Sequence, residues 1–141
     1  MEDNKTIFVD SCVLLDVFNK DKKWGEWAVE KLNELSSEHQ LVINTIVFTE
    51  VAMNFESFEK LRQTLLHLNI VVLDIPLESA FNVSRTFKKY RKNKGQKKSP
   101  MPDFYIGEHA LSIDAALITR DTAKFRTYQP KLELIVPNAI H

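Results

Sequence analysis

Five short apolar runs limit what this chain can fold into: Ile7-Phe8-Val9, Leu41-Val42-Ile43, Ile70-Val71-Val72-Leu73, Ala116-Leu117-Ile118-Thr119 and Leu134-Ile135-Val136. A strand buried on one face alternates apolar and polar residues, whereas a strand covered on both faces reads as a continuous apolar run. The stretches between the runs carry helical spacing instead. Ser11–Asn19 holds Val13, Leu14, Val17 and Phe18, and a charged break at Lys20–Lys23 follows. Trp24, Trp27, Ala28, Leu32 and Leu35 then recur at three and four residues. Asn44 or Thr45 can cap a helix holding Ile46, Val47, Val51 and Phe55, and a further helix is expected over about Ser57–Leu68.

Asp74-Ile-Pro-Leu-Glu78 is a helix-start signature, with proline and acids where the helix dipole favours them. The helix it opens is expected to fray at Asn93-Lys94-Gly95. Ser99 to Asp103 reads as a turn, with Asp103 opening the next helix. Strands alternating with helices give an α/β fold, a three-layer α/β/α sandwich around a parallel sheet of about five strands. Residues 1–141 are expected to form one domain, within the usual size range, and 44% hydrophobic residues supply its core.

No apolar run approaches the roughly 18–20 residues of a membrane helix. Met1–Lys5 is charged and lacks the pattern of a secretory signal. The single cysteine, Cys12, cannot form an internal disulfide and rules out cysteine-rich zinc sites. A cytoplasmic location is expected. Cys12 itself reads as a small buried apolar group.

In an open parallel sheet, ligand sites form beyond the carboxyl ends of the strands, where strand order reverses. Four acids can reach that edge. Asp10 follows the first run and Asp121 follows the fourth, while Glu50 lies in the second turn of the helix after the second run and Asp103 in the first turn before the fourth. Gathered carboxylates repel one another and raise their pKa values unless a cation neutralises them. Hard oxygen ligands suit Mg2+ or Mn2+, ions that engage phosphate oxygens and activate water for attack on a phosphodiester. Each acid also has an ordinary explanation: Asp10 as a turn or cap, Asp103 as a first-turn acid, Glu50 as a solvated helix residue and Asp121 as a cap for the next helix. Only their joint placement points to a site.

The same residues carry a family resemblance. Ile7-Phe8-Val9-Asp10-Ser11, the spacing Thr45 to Glu50, Pro102-Asp103-Phe104-Tyr105-Ile106-Gly107 and Leu117-Ile118-Thr119-Arg120-Asp121 resemble PIN-domain nucleases, most closely the VapC-type toxins of bacterial toxin–antitoxin pairs. The tail from Phe125 to Pro137 resembles the same group. The resemblance spans essentially the whole chain in order. It implies a five-stranded parallel sheet and a metal-dependent endoribonuclease using Mg2+ or Mn2+. Its acids map onto Asp10, Glu50, Asp103 and Asp121, with Asp10, Asp103 and Asp121 as metal ligands and Ser11 and Thr119 in support. It also implies a homodimer silenced by a cognate antitoxin reaching into the active-site groove. One position departs from the pattern: Cys12 stands where an amide or hydroxyl is usual, and a thiol is the poorer hydrogen-bond partner.

Net charge is zero, with 19 basic and 19 acidic residues, yet eight of the fourteen residues from Arg85 to Lys98 are basic and none is acidic. Leading directly to Asp103, this segment suits an RNA backbone, with Arg91, Lys92, Lys94, Lys97 and Lys98 as phosphate contacts. Phe87 and Tyr90 could stack on unpaired bases. The bland reading is a solvated helix face. Asp16 is the best additional acid, either an outer contact of the site or a structural or solvent-facing group. The four histidines share no metal spacing, and His109 reads as packing or surface. Two rival functions remain in view. One is a phosphoacceptor signalling domain with Asp10 and Asp74 at strand ends, although no second acid adjoins Asp10. The other is a catalytically silent RNA-binding module of the same fold.

Overall fold

The structure, a computed structural model, describes residues 4–93 and 101–138. Its strands are β1 (Ile7–Val9), β2 (Leu41–Asn44), β3 (Ile70–Leu73), β4 (Ala116–Ile118) and β5 (Leu134–Ile135). Its helices are α1 (Ser11–Phe18), α2 (Gly25–Ser36), α3 (Thr45–Ala52), α4 (Phe58–His67), α5 (Leu77–Lys92), α6 (Met101–Ser112) and α7 (Ala123–Tyr128). All pairings are parallel, in the order β3-β2-β1-β4-β5. Every residue of β1, β2 and β4 is buried, as helices on both faces require, whereas Val71 and Val72 on the edge strand β3 are exposed. The expected α/β/α sandwich with a parallel sheet is the observed architecture.

That order places the topological switch between β1 and β4. The chain steps outward from β1 through β2 to β3, then returns to the other side of β1 to lay down β4 and β5. Ile7, Phe8 and Val9 pair with Ala116, Leu117 and Ile118 across the switch. The crevice beyond their carboxyl ends is where a ligand site is expected.

Several boundaries differ from the sequence reading. Helix α3 stops at Ala52, so Phe55 lies beyond it, yet its ring still packs edge-on against Phe18 at 5.1 Å. Helix α6 starts at Met101 and takes Pro102 into its first turn, where a missing N–H costs nothing. The expected turn therefore ends earlier, and Ser99 and Pro100 lie outside the described residues. Pro76 rather than Asp74 is the N-cap of α5, with Glu78 as its first-turn acid. Asp74 is exposed and stands outside the helix. Lys94 and Gly95, where fraying was expected, also lie outside the described residues. Among the described residues no helix is long and apolar enough to cross a membrane.

Candidate active site

Asp10 joins β1 to α1 in an extended conformation and caps the helix by accepting the Ser11 N–H at 2.8 Å. It is 3% exposed, so the cap and the proposed ligand are the same buried carboxylate. Thr119, fully buried just past β4, donates its hydroxyl to Asp10 Oδ2 at 2.7 Å and accepts the Asp121 N–H at 3.0 Å. This hydroxyl ties the ends of β1 and β4 together and orients the backbone that carries Asp121. Cys12 is half-buried rather than sequestered, and its thiol lies 3.5 Å from Asp10 Oδ2 and 3.6 Å from Thr119 Oγ1. The position that departs from the family pattern thus touches the central acid. Burial, followed by the Asp10 charge, pushes the Cys12 thiol up to about 12, so it stays protonated and donates weakly.

Burial also raises the Asp10 carboxyl to about 6; the Thr119 hydroxyl opposes this, and the charge of Asp103 adds to it. Glu50 is held above its ordinary value by burial, against the pull of the Ser11 hydroxyl, with the Asp103 charge again adding. Asp10, Glu50 and Asp103 therefore share one electrostatic environment at one edge of the sheet. Asp103 projects from the first turn of α6, and the Lys124 ammonium on α7 donates to its Oδ2 while also standing 3.2 Å from Asp121 Oδ2. Lys124 escaped the sequence reading. Its place three residues after Asp121, in the first turn of the helix that follows, is the signal that could have found it.

The other candidates separate cleanly. Asp16 is neither solvent-facing nor a contact of the site: it is buried and grips Arg120 in a two-bond fork, 2.6 Å to Nε and 2.9 Å to Nη2. Trp24 lies under the same guanidinium, 6.0 Å from its ring centroid. His109 is buried packing, its ring edge-on to Phe8 at 5.2 Å and its Nδ1 3.2 Å from the Asn44 amide nitrogen. Burial lowers its pKa, so the ring is neutral and accepts that amide N–H. The same Asn44 caps α3 through the Ile46 and Val47 N–H groups, which anchors the helix bearing Glu50.

Arg91 and Lys92 are exposed at the end of α5, and Lys94, Lys97 and Lys98 lie outside the described residues. Tyr90 is not a free stacking surface. Its ring packs edge-on against Phe87, Phe104 and Tyr128 at 6.0, 5.9 and 5.5 Å. Asp74 ends the edge strand with β2 between it and β1, so it cannot share a pocket with Asp10. That topology removes the phosphoacceptor reading.

A family model for the PIN domain matches residues 7–129, a span that contains all four acids, Thr119 and Lys124. The chain belongs to the PIN domain family. Its fold is shared with a chain of the VapBC2 complex from Rickettsia felis bound to promoter DNA, at a TM-score of 0.72 and 17% identity over 94% of this chain and 99% of that one. A chain of a toxin–antitoxin complex from Klebsiella pneumoniae gives 0.66 at 21% identity, covering 94% and 98%. A chain of VapBC-1 from nontypeable Haemophilus influenzae gives 0.69 at 19%, covering 93% and 97%. No curated protein sequence matches it.

The PIN domain's donor set fits a hard divalent cation. Glu50 Oε1 is sealed from solvent without a hydrogen-bond partner among the described residues, and the Asp10 carboxylate is desolvated and acidified only weakly by its neighbours. Asp10 has no cation acting on it among the described residues, and Glu50 has only the Lys124 charge, which burial outweighs. Among the described residues, no three acidic, histidine or cysteine side chains already stand in a metal-gripping arrangement. The Lys124 ammonium occupies the space between Asp103 and Asp121 instead.

Proposed function

We propose that this PIN domain is the toxin of a toxin–antitoxin pair, an endoribonuclease that hydrolyses RNA phosphodiesters with Mg2+ or Mn2+. The observation that carries the reading is the convergence of a buried Asp10 and a half-buried Glu50, each raised in pKa in part by the charge of Asp103, with Lys124 bridging Asp103 to Asp121, at the switch between β1 and β4. Asp10, Asp103 and Asp121 would hold the ion, with Glu50 completing the acidic wall. When bound, such an ion supplies Lewis acidity toward the phosphate and lowers the pKa of water. The chain's own residues prepare the place. Thr119 fixes the Asp10 carboxylate, Ser11 faces Glu50, and the α3 cap at Asn44 sets where Glu50 points.

Arg91 and Lys92, continued by Lys94, Lys97 and Lys98, supply the positive approach for an RNA backbone, while the metal engages one phosphate. The VapBC and toxin–antitoxin assemblies that share this fold support a cognate antitoxin as partner. Met53, Phe58, Leu66, Leu77 and Phe81 remain exposed and supply apolar surface for an antitoxin or a second copy of the chain. The compartment implied is the cytoplasm, where a lone cysteine stays reduced.

The test is cleavage of structured RNA by purified protein with Mg2+ or Mn2+, against EDTA and Asp103→Asn. The expected result is cleavage that leaves 5′-phosphate and 3′-hydroxyl ends, stops in EDTA and is lost in the variant. Metal-independent cleavage would overturn the reading, and RNA binding without cleavage would favour the silent module. In the same preparation, replacing Lys94, Lys97 and Lys98 with glutamine should weaken RNA binding and flatten its salt dependence, by a log–log slope of about 0.7 for each single-strand phosphate that is no longer neutralised. An unchanged slope would take the basic segment out of the substrate path.

A further inference from the structure

Lys124 is the one basic side chain that ion-pairs with any of the four acids among the described residues. It rises from the second residue of α7, and its ammonium bridges Asp103 Oδ2, contributed by α6, and Asp121 Oδ2, contributed by the loop after β4. Two elements far apart in sequence therefore meet on a cation that belongs to the chain itself. The Lys124 side chain is one-third exposed, so it has a route to solvent when it lets go. Burial works against its charged form, but the Asp103 and Asp121 carboxylates together hold its proton more firmly than water would.

A divalent ion needs the same oxygens. The negative charge of Asp103 and Asp121 that would draw the ion is already partly neutralised by the ammonium bridging them. An ammonium left beside a dication is repelled by it in a site where solvent screens incompletely. We propose that Lys124 is an internal counter-ion that competes with the divalent metal for Asp103 and Asp121 and so sets the metal affinity of the site. The inference rests on the metal-site reading above and concerns what holds that site together before the ion arrives. Without metal, the ammonium neutralises acids that would otherwise push α6 and the β4–α7 loop apart. With metal, the ammonium releases at least one carboxylate and turns toward solvent.

The test is Mn2+ binding at pH 7.5 by calorimetry and by loss of the free-ion electron paramagnetic resonance signal, for wild type, Lys124→Met, Lys124→Arg and Asp103→Asn. Removing the charge should tighten binding about tenfold or more, while the arginine variant stays near wild type. In EDTA, Lys124→Met should melt lower than wild type, and Mn2+ should raise its melting temperature by a larger increment. Equal or weaker binding by Lys124→Met, with wild type binding and Asp103→Asn failing to bind, overturns the counter-ion and leaves the metal site standing. Absence of Mn2+ binding by both wild type and Lys124→Met overturns both. Should Lys124→Met not fold, the lysine ammonium resonance of wild-type protein decides. It should be visible and protected from solvent exchange in EDTA and should shift or broaden as Mg2+ is added; a resonance indifferent to Mg2+ overturns the proposal.

Discussion

Asp10→Asn is expected to abolish RNA cleavage while raising the melting temperature of the metal-free protein. The two effects share one cause. Asp10 is a desolvated carboxylate with its pKa raised from 3.8 to about 6. A raised acid favours the folded state fully below its unfolded value, and that contribution is lost as pH rises through the folded value. At pH 7.5 the ionised Asp10 therefore costs the fold about 3 kcal/mol relative to a permanently neutral side chain. Asparagine is neutral, nearly the same shape and an equally good N-cap. Its amide nitrogen cannot accept the Thr119 hydroxyl proton, which takes back part of the gain. A net stabilisation of about 1–2 kcal/mol, or roughly 3–6 °C in a chain of this length, should remain in EDTA at pH 7.5. Wild type should gain stability from this group as pH falls from about 7 toward 4, and the variant should lack that component. Cleavage should drop by about 10^3-fold or more, because several kcal/mol of transition-state stabilisation leave with the carboxylate. A variant that melts lower than wild type in EDTA and keeps the same pH slope would mean that Asp10 is a structural cap and not a stored charge.

The sequence disclosed the strands and hid their order for one physical reason. A strand buried on both faces declares itself locally, as Phe8 and Leu117 do, but which strand lies beside which depends on contacts between distant segments. Asp10 was legible as a candidate because it follows strand β1, and strand ends in a parallel sheet face one edge, whereas Thr119 entered only through the family resemblance. Asp103, by itself an ordinary first-turn acid, was legible only through its placement toward the same edge as the other acids. The side chains that hold these residues were not. Asp16 meets Arg120 across 104 residues, and nothing in either neighbourhood announces it. Tyr90 looked available for a base because its partners, Phe104 and Tyr128, belong to other helices. Lys124 stood out in no sequence pattern, and only the fold brings it to Asp103 and Asp121. Gly107 carries the same lesson at the level of packing. It sits in α6 below Asp103, where the buried Gln129 amide fills the space of a Cβ, and Gln129 is itself held by the Phe104 carbonyl and Glu108.

Arg120→Ala is expected to destabilise the protein by about 2–4 kcal/mol, more than either Asp16→Ala or the double variant. The asymmetry follows from burial. The Asp16 side chain is 6% exposed and that of Arg120 is 32% exposed. Without Arg120, Asp16 is left as a buried charge with its two-bond partner gone, and it must either find water or take up a proton. Without Asp16, the guanidinium can turn outward past Trp24 into solvent, so the cost is about 1–2 kcal/mol. Removing both leaves a small cavity and no stranded charge. A double-mutant cycle by urea unfolding should therefore show a coupling of at least about 1 kcal/mol. The effect reaches the site through the backbone. Arg120 stands between Thr119 and Asp121, and Asp16 lies on the helix that Asp10 caps, so the ion pair clamps α1 to the end of β4 at the place where the Thr119 hydroxyl meets the Asp10 carboxylate. Loosening the clamp should lower kcat in the folded fraction of Arg120→Ala and leave the salt dependence of RNA binding unchanged, since no phosphate contact is removed. Additive single and double variants, with full activity in Arg120→Ala, would mean that the two charges merely lie close together and that the site is positioned without them.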